Sequence, residues 1–334
     1  MEYRILGRTA LRVSRVGFGC GNIGGLMVRG TAADQERAVA RALELGINYF
    51  DTAPMYGNTE SETNLGRVLA TLRPDIVLAT KSPADPEQRG KLGLAIAQSC
   101  EASLRRLRRE RVDVFQLHTA VTLAGGNGTL DVRTVTEEVV PAFEALRKQG
   151  KIGFYGFSGT GEAAAIPQLI ATGAFDVFQV IYNILNASAG NEPIGAVGAN
   201  YENVLARAAE QRMGAVGIRV LAGGALSSET SRHAISSQNV VPMGTSADYR
   251  GDVERAARLT PLVSEGHVAS LAEAALRFAI TNPMIASALV GFSDLAQVEA
   301  AAAAEKKGPL PQSTLDRIAQ LLPHVTPSGA PQGA

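Results

Sequence analysis

A chain of 334 residues with 46% hydrophobic side chains can bury a large core, and its length alone allows one domain or two. Lys plus Arg and Asp plus Glu are both 32, so the formal charge is zero, which argues against a nucleic-acid or membrane-surface partner. Two cysteines, Cys20 and Cys100, cannot build a disulfide framework, and four scattered histidines lack zinc-ligand spacing, so no metal site is expected. The first residues carry no charged-then-apolar signal pattern and no apolar run approaches membrane length, so the expected location is the cytoplasm.

Glu2 to Leu6 and Arg12 to Val16 flank Gly7-Arg8-Thr9, which predicts a hairpin ahead of the main fold. Val16 to Gly19 reads as a short strand, followed by a glycine-rich loop from Cys20 to Gly30. Thr31 can cap the next helix, with Asp34 three residues on and Gly46 closing it. A strand runs to Asp51, then a helix from about Ser61 to Leu69. The alternation continues with strands at Ile76–Thr80, Val112–Leu117, Ile152–Phe157, Val177–Val180, Ala215–Val220 and Ala286–Val290. Helices are expected over about 91–108, 137–149, 162–171, 204–211, 253–264 and 270–280, with Ser293 capping a last one through Ala304. The cluster Arg105, Arg106, Arg108, Arg109, Arg111 reads as a solvated helix end, where cations suit the dipole.

Eight strands alternating with helices, without a composition break, imply one parallel-sheet unit, and closure into a (β/α)8 TIM barrel is the natural solution. That unit is expected over residues 1–322, with a small polar tail at 323–334 that frays. The loops Thr119–Thr136, Asn183–Tyr201 and Ala222–Asp252 are long and follow strands, so all three lie on the face where barrel enzymes do chemistry. Tyr182, Asn183, Asn186, Asn191 and Tyr201 could supply polar contacts there, although most read as ordinary loop residues.

Three successive strands end at Asp51, Lys81 and His118, and Tyr56 sits on the loop after the first of them. A barrel brings successive strand ends side by side, so the four groups would converge on one mouth. A phenol is a poor acid or base near neutral pH unless tuned, and an adjacent ammonium favours its ionised form. Asp51 would hold Lys81 charged, and a neutral His118 could donate to a carbonyl oxygen as charge develops on it.

The run DTAPMYGN, with Lys81 in ATK, His118 in FQLH and Ser158 in GFYGFSG, resembles the aldo-keto reductase superfamily over about Tyr3 to Lys307. The resemblance implies an oxidoreductase acting on C=O and CH–OH groups of a small molecule, with Tyr56 as general acid/base, Lys81 and Asp51 as its tuning pair, and His118 orienting the carbonyl. It implies a nicotinamide cofactor bound across the mouth, with Ser158 and Gln179 on the carboxamide. Gly19, Cys20, Gly21 and Asp51 would lie beside it, Arg219, Leu221 and Gly223 on the pyrophosphate segment, and Gly291, Ser293 and Gln297 on the adenosine-phosphate segment. Gly24 and Gly25 read instead as a turn that allows close packing.

The match is uneven. Gly159 stands where the family has Asn, Ile218 replaces a stacking ring, and Ala300-Ala301 replaces the usual adenine pair. The resemblance implies NADP(H), with NAD(H) as the alternative because no Arg or Lys stands where a 2′-phosphate is gripped and Asp294 would repel one. There is no Trp, and Gly21 and Pro83 fall where relatives carry aromatic pocket walls, so a wide pocket for a larger or more polar substrate is expected. The wording of EVVPAFEALRKQGK, from Glu138 to Lys151, is similar to aldose dehydrogenases of the superfamily, which makes aldose oxidation the first alternative. A non-catalytic subunit that senses bound cofactor is the second.

Overall fold

The computed structural model describes residues 1–190, 198–227 and 231–322. The strands β1 (Tyr3–Ile5) and β2 (Arg12–Ser14) pair antiparallel as the expected hairpin. Parallel strands β3 (Val16–Gly19), β4 (Tyr49–Asp51), β5 (Val77–Ser82) and β6 (Val112–Leu117) follow. A small pair, β7 (Val121–Thr122) and β8 (Leu130–Asp131), lies within the loop after β6. The series resumes with β9 (Ile152–Ser158), β10 (Val177–Ile181), β11 (Gly214–Ile218) and β12 (Ile285–Gly291). The eight parallel strands close in the order β3-β4-β5-β6-β9-β10-β11-β12, with β12 returning to β3, which is the expected (β/α)8 barrel.

The period of two along each strand sorts side chains between two cores. Tyr49, Val77, Ala79, Val114, Val177, Val216, Ala286 and Leu289 fill the barrel interior together with Leu6 and Val13 of the hairpin. Alternate residues such as Phe50, Leu78, Phe115 and Phe178 face outward onto the surrounding helices. The hairpin therefore plugs the N-terminal mouth of the barrel. Gly7 makes that possible: its φ is +55°, and a Cβ there would lie 2.2 Å from the Gly214 nitrogen.

Thr31 caps the helix Ala32–Glu44 by accepting from the Asp34 amide, as expected. Other boundaries differ. Lys81 lies inside β5 rather than at its end. The helix expected over 253–264 is two, Tyr249–Ala257 and Pro261–Ser264, because Pro261 has no amide to continue the first. The cap before Leu295–Lys306 is Asp294, which accepts from the Gln297 amide, and not Ser293. A further helix, Gln312–Leu321, follows it. Arg106 is not a solvated helix end: it donates to Glu62, which is fully buried and also receives the Thr80 hydroxyl at 2.5 Å. The tail expected at 323–334 and Asn191 lie outside the described residues. No helix among the described residues is long and apolar enough to cross a membrane.

Candidate active site

At the C-terminal mouth, β4, β5 and β6 bring Asp51, Lys81 and His118 together, and the turn after β4 returns Tyr56 to them. The Lys81 ammonium is fully buried and donates to Asp51 Oδ1 at 2.5 Å, to the Thr52 carbonyl at 2.9 Å and to Tyr56 Oη at 3.1 Å. All three of its protons thus have acceptors. The His118 ring meets the Tyr56 ring edge-on, with centroids 5.6 Å apart and planes at 89°. Its Nδ1 is buried without a partner among the described residues. The acceptors are themselves fixed: the Ser61 hydroxyl bonds Thr52 and the Cys20 carbonyl, each at 2.8 Å.

Burial dominates the electrostatics. It pushes the Tyr56 phenol above its ordinary value, while Lys81 pulls back down and Asp51 pushes up. The expected net lowering by the ammonium is therefore outweighed by desolvation. For Lys81, burial works against the charge, but Asp51 and Tyr56 hold the ammonium above its usual value. Burial pushes the Asp51 carboxyl up, against the pull of Lys81 and Gln179. Burial, and then Lys81, push the His118 imidazole down to about 3. The site thus presents a protonated phenol and a neutral imidazole around a locked ion pair.

Around these four, the expected cofactor-contact residues fall into two groups. Gly19, Asp51 and Gly291 stand at paired registers on β3, β4 and β12, and the Cys20 amide donates to the Asp51 carbonyl at 2.9 Å. Gly21 borders the Tyr56 ring, where a Cβ would lie 3.6 Å away. Ser158 and Gln179 are register partners on β9 and β10; the Ser158 hydroxyl is buried without a partner among the described residues, while the Gln179 amide donates to Asp51 Oδ2 at 2.7 Å. Arg219 follows β11, and among the described residues its guanidinium has one hydrogen bond, to the Val241 carbonyl at 3.3 Å; it lies within electrostatic reach of Tyr56. Leu221 and Gly223 lie in the turn next to it, with a Cβ on Gly223 only 3.3 Å from Arg219 Nη1.

The second group is satisfied internally. The Ser293 hydroxyl donates to the Gly24 carbonyl at 2.7 Å, and its amide donates to Gln297 Oε1 at 2.8 Å. The pair expected to offer anion donors is thus engaged with itself and with the glycine loop. Gly24 needs to be glycine for that contact, since a Cβ would lie 2.4 Å from the Phe292 nitrogen.

A model of the aldo/keto reductase family matches residues 15–323. The chain belongs to the aldo/keto reductase family. It is 28% identical to L-galactose dehydrogenase of Arabidopsis thaliana over 100% of this chain and 98% of that protein. It is 26% identical to a probable voltage-gated potassium channel subunit beta of the same plant, over 96% of this chain and 97% of that protein. Among solved structures, the holo form of aldo-keto reductase AKR11C1 from Bacillus halodurans superposes with a TM-score of 0.72 at 27% identity, covering 99% of both chains. The chain is thus an oxidoreductase of a nicotinamide-using family.

Several residues that build this aldo/keto reductase site carry no local sequence signal. Asn22 Oδ1 accepts from the Gly57 amide at 2.8 Å and so fixes the turn that carries Tyr56. Asn183, fully buried, donates to the Arg219 carbonyl at 2.9 Å, and its Oδ1 accepts from the amides of Leu185 and Asn186. Asn183 and Asn186 are therefore occupied in shaping the loops. An Asn in a glycine-rich loop marks a turn, but its partner is set only by the fold.

Proposed function

We propose that this aldo/keto reductase interconverts a carbonyl and an alcohol with Tyr56 as general acid/base. The observation that carries the reading is the buried 3.1 Å contact between Lys81 Nζ and Tyr56 Oη, with Asp51 behind the ammonium. In reduction, Tyr56 gives its proton to the carbonyl oxygen; in oxidation, it takes that proton back from the alcohol. His118, held neutral, donates a hydrogen bond to the same oxygen, and Lys81 with Asp51 steadies the phenol in either state. A bound nicotinamide supplies or accepts the hydride at the carbon.

The residues present suit that cofactor unevenly. The Ser158 hydroxyl, without a partner among the described residues, and the Gln179 amide oxygen would hold a carboxamide, and the sparsely bonded Arg219 would meet a phosphate. Gly19, Cys20, Gly21, Leu221, Gly223 and Gly291 would offer backbone beside it. Our first reading of the cofactor is NADP(H), supported by the resemblance to the family. Asp294 at the helix start, beside the internally engaged Ser293 and Gln297, supports NAD(H) as the second reading. End-to-end similarity to L-galactose dehydrogenase supports an aldose as the substrate.

The test is Tyr56→Phe. Turnover should fall by at least ~100-fold, the scale for loss of a general acid/base, while the affinity for reduced cofactor, read by fluorescence titration, changes little. Near-normal turnover refutes the assignment, and cofactor binding without any substrate-dependent oxidation in the unaltered protein supports a sensor subunit instead.

A further inference from the structure

The turn that carries Tyr56 is strained. Gly57, Asn58 and Thr59 all lie in the left-handed region, with φ of +61°, +51° and +78°. That conformation is costly for a residue with a side chain, most of all for a β-branched threonine, and persists only where the surroundings impose it. Bonds such as Tyr56 amide to Ala53 carbonyl and Thr59 amide to Pro54 carbonyl stay within the turn. From outside, the Gly57 amide donates to Asn22 Oδ1 at 2.8 Å. Val28 closes on the same glycine, where a Cβ would lie 2.4 Å from Val28 Cγ1. Asn22 and Val28 both belong to the segment between β3 and the helix Ala32–Glu44, so the place of Tyr56 depends on how that segment is held.

It is held from the long loop after β11. Ser237 donates its amide to the Ile23 carbonyl at 3.1 Å and its hydroxyl to the Asn22 carbonyl at 3.0 Å, across 215 positions of sequence. Arg29 gives Nε to the Ile235 carbonyl and Nη2 to the Asn22 carbonyl, each at 2.6 Å. Gly25, at φ +84°, makes room for this contact, since a Cβ there would lie 2.0 Å from the Ile235 oxygen. The far side is anchored too. Arg232 donates to the Ser237 carbonyl, to the Gly223 carbonyl at 2.9 Å and to the Tyr249 hydroxyl at 2.8 Å. His233 Nε2 stands 3.7 Å from Asp294 Oδ2, beyond β12. Residues 232–238 thereby tie together the loops after β11, β12 and β3, and Asn22 passes the tie on to the turn after β4.

We propose that Ser237 is a positioning residue for Tyr56, acting through Asn22 on the strained turn. The inference rests on the reading of Tyr56 as general acid/base. Without the Ser237 hydroxyl the Asn22 carbonyl loses one of its two side-chain donors, and the clamp on the Gly57 amide loosens. The left-handed run then relaxes towards ordinary backbone, and the Tyr56 hydroxyl draws away from its 3.1 Å contact with Lys81. Ser237 itself touches neither Tyr56 nor Lys81, so its effect is on where the phenol stands.

The experiment compares the full chain with Ser237→Ala in two measurements. Hydrogen exchange read by mass spectrometry should quicken over residues 53–60 while the barrel strands exchange as before, a local change that a general loss of stability would not give. The single-turnover rate of reduction with saturating reduced cofactor, using glyceraldehyde as the carbonyl probe, should fall about 10-fold, short of the ~10²-fold that a 1 Å misplacement can cost. Ser237→Thr, which keeps the hydroxyl, should recover most of that rate. On an Asn22→Ala background, Ser237→Ala should add less than about twofold, because both act through one contact. Arg29→Met cuts the other tie and should act in the same direction, which keeps the test open should Ser237→Ala fail to fold. Unchanged exchange over 53–60 overturns the inference without any rate measurement. So does faster exchange with an unaltered rate, provided that Tyr56→Phe abolishes reduction. Near-normal reduction in Tyr56→Phe overturns the underlying reading instead.

Discussion

The two ends of the barrel use the same residue types in opposite ways. At the N-terminal mouth, Arg4 donates to the carbonyls of Ile280, Asn282 and Ile285 at 2.7, 2.8 and 2.5 Å. Arg8 donates to Gly173 and Phe175 carbonyls and pairs with Asp176, and Arg15, 4% exposed, pairs with the buried Glu305 at 2.6 Å. Each of these three guanidiniums is bonded within the fold itself. At the C-terminal mouth, Arg219 has one 3.3 Å contact, and His118 Nδ1 and Ser158 Oγ have none among the described residues. Buried polar groups normally find partners, so groups left incomplete at one end and saturated at the other mark where a ligand is meant to sit. The ion pair of Lys81 with Asp51 is the exception at the open end, fully bonded among the described residues.

The sharpest way to break this contrast is Lys81→Met. It removes the one saturated cation of the open end and leaves Asp51 buried with only Gln179 as donor. Turnover should fall by about 10²- to 10³-fold, and stability should drop by about 3 kcal/mol, since breaking a buried pair strands the remaining charge. Steady-state kinetics with urea unfolding of the same preparation read both; retained turnover would remove Lys81 from the proton chain. At the plugged end, Arg15→Met should cost about 3 kcal/mol for the same reason, because Glu305 loses its close partner. Here kcat and KM at 25 °C should stay within about twofold. A parallel fall in turnover while the variant is still folded would show that the two ends are coupled, and the contrast would fail.

The open end was far more legible in sequence than the plugged one. Asp51, Tyr56, Lys81 and His118 lie at ends of periodic apolar runs, so local pattern and barrel closure together bring them to one mouth. The hairpin strands were readable too, but nothing in Arg4, Arg8 or Arg15 announces carbonyls some 165 to 290 positions away. The same blindness affects Arg106, which stands among Arg105, Arg108 and Arg109 in sequence and whose actual partner is Glu62. Ser293 was misread as a cap because Ser and Asp are equally good caps, and which of two adjacent residues adopts extended backbone depends on where β12 ends. The sign of the Tyr56 shift was missed for a related reason: an ammonium neighbour can be inferred from strand order, but complete burial cannot.

The smallest expected effect sharpens the contrast through pH. An imidazole left without a partner at a half-buried site resists protonation, and His118 is pushed down to about 3 by burial and by Lys81. A histidine in the unfolded chain binds its proton near pH 6.5, so below that value the unfolded state takes up a proton that the folded state refuses. Stability contributed by the neutral ring is therefore complete above pH 6.5 and is lost as pH falls from there towards 3. The slope should be about 1 kcal/mol per pH unit or less, because the ring keeps some contact with solvent. Urea unfolding between pH 6.5 and 4.5 should accordingly give a shallower loss of stability in His118→Gln than in the unaltered chain. Equal slopes would mean that the open end is completed by folding after all, with the His118 nitrogen bonded in solution as the arginines are at the other end.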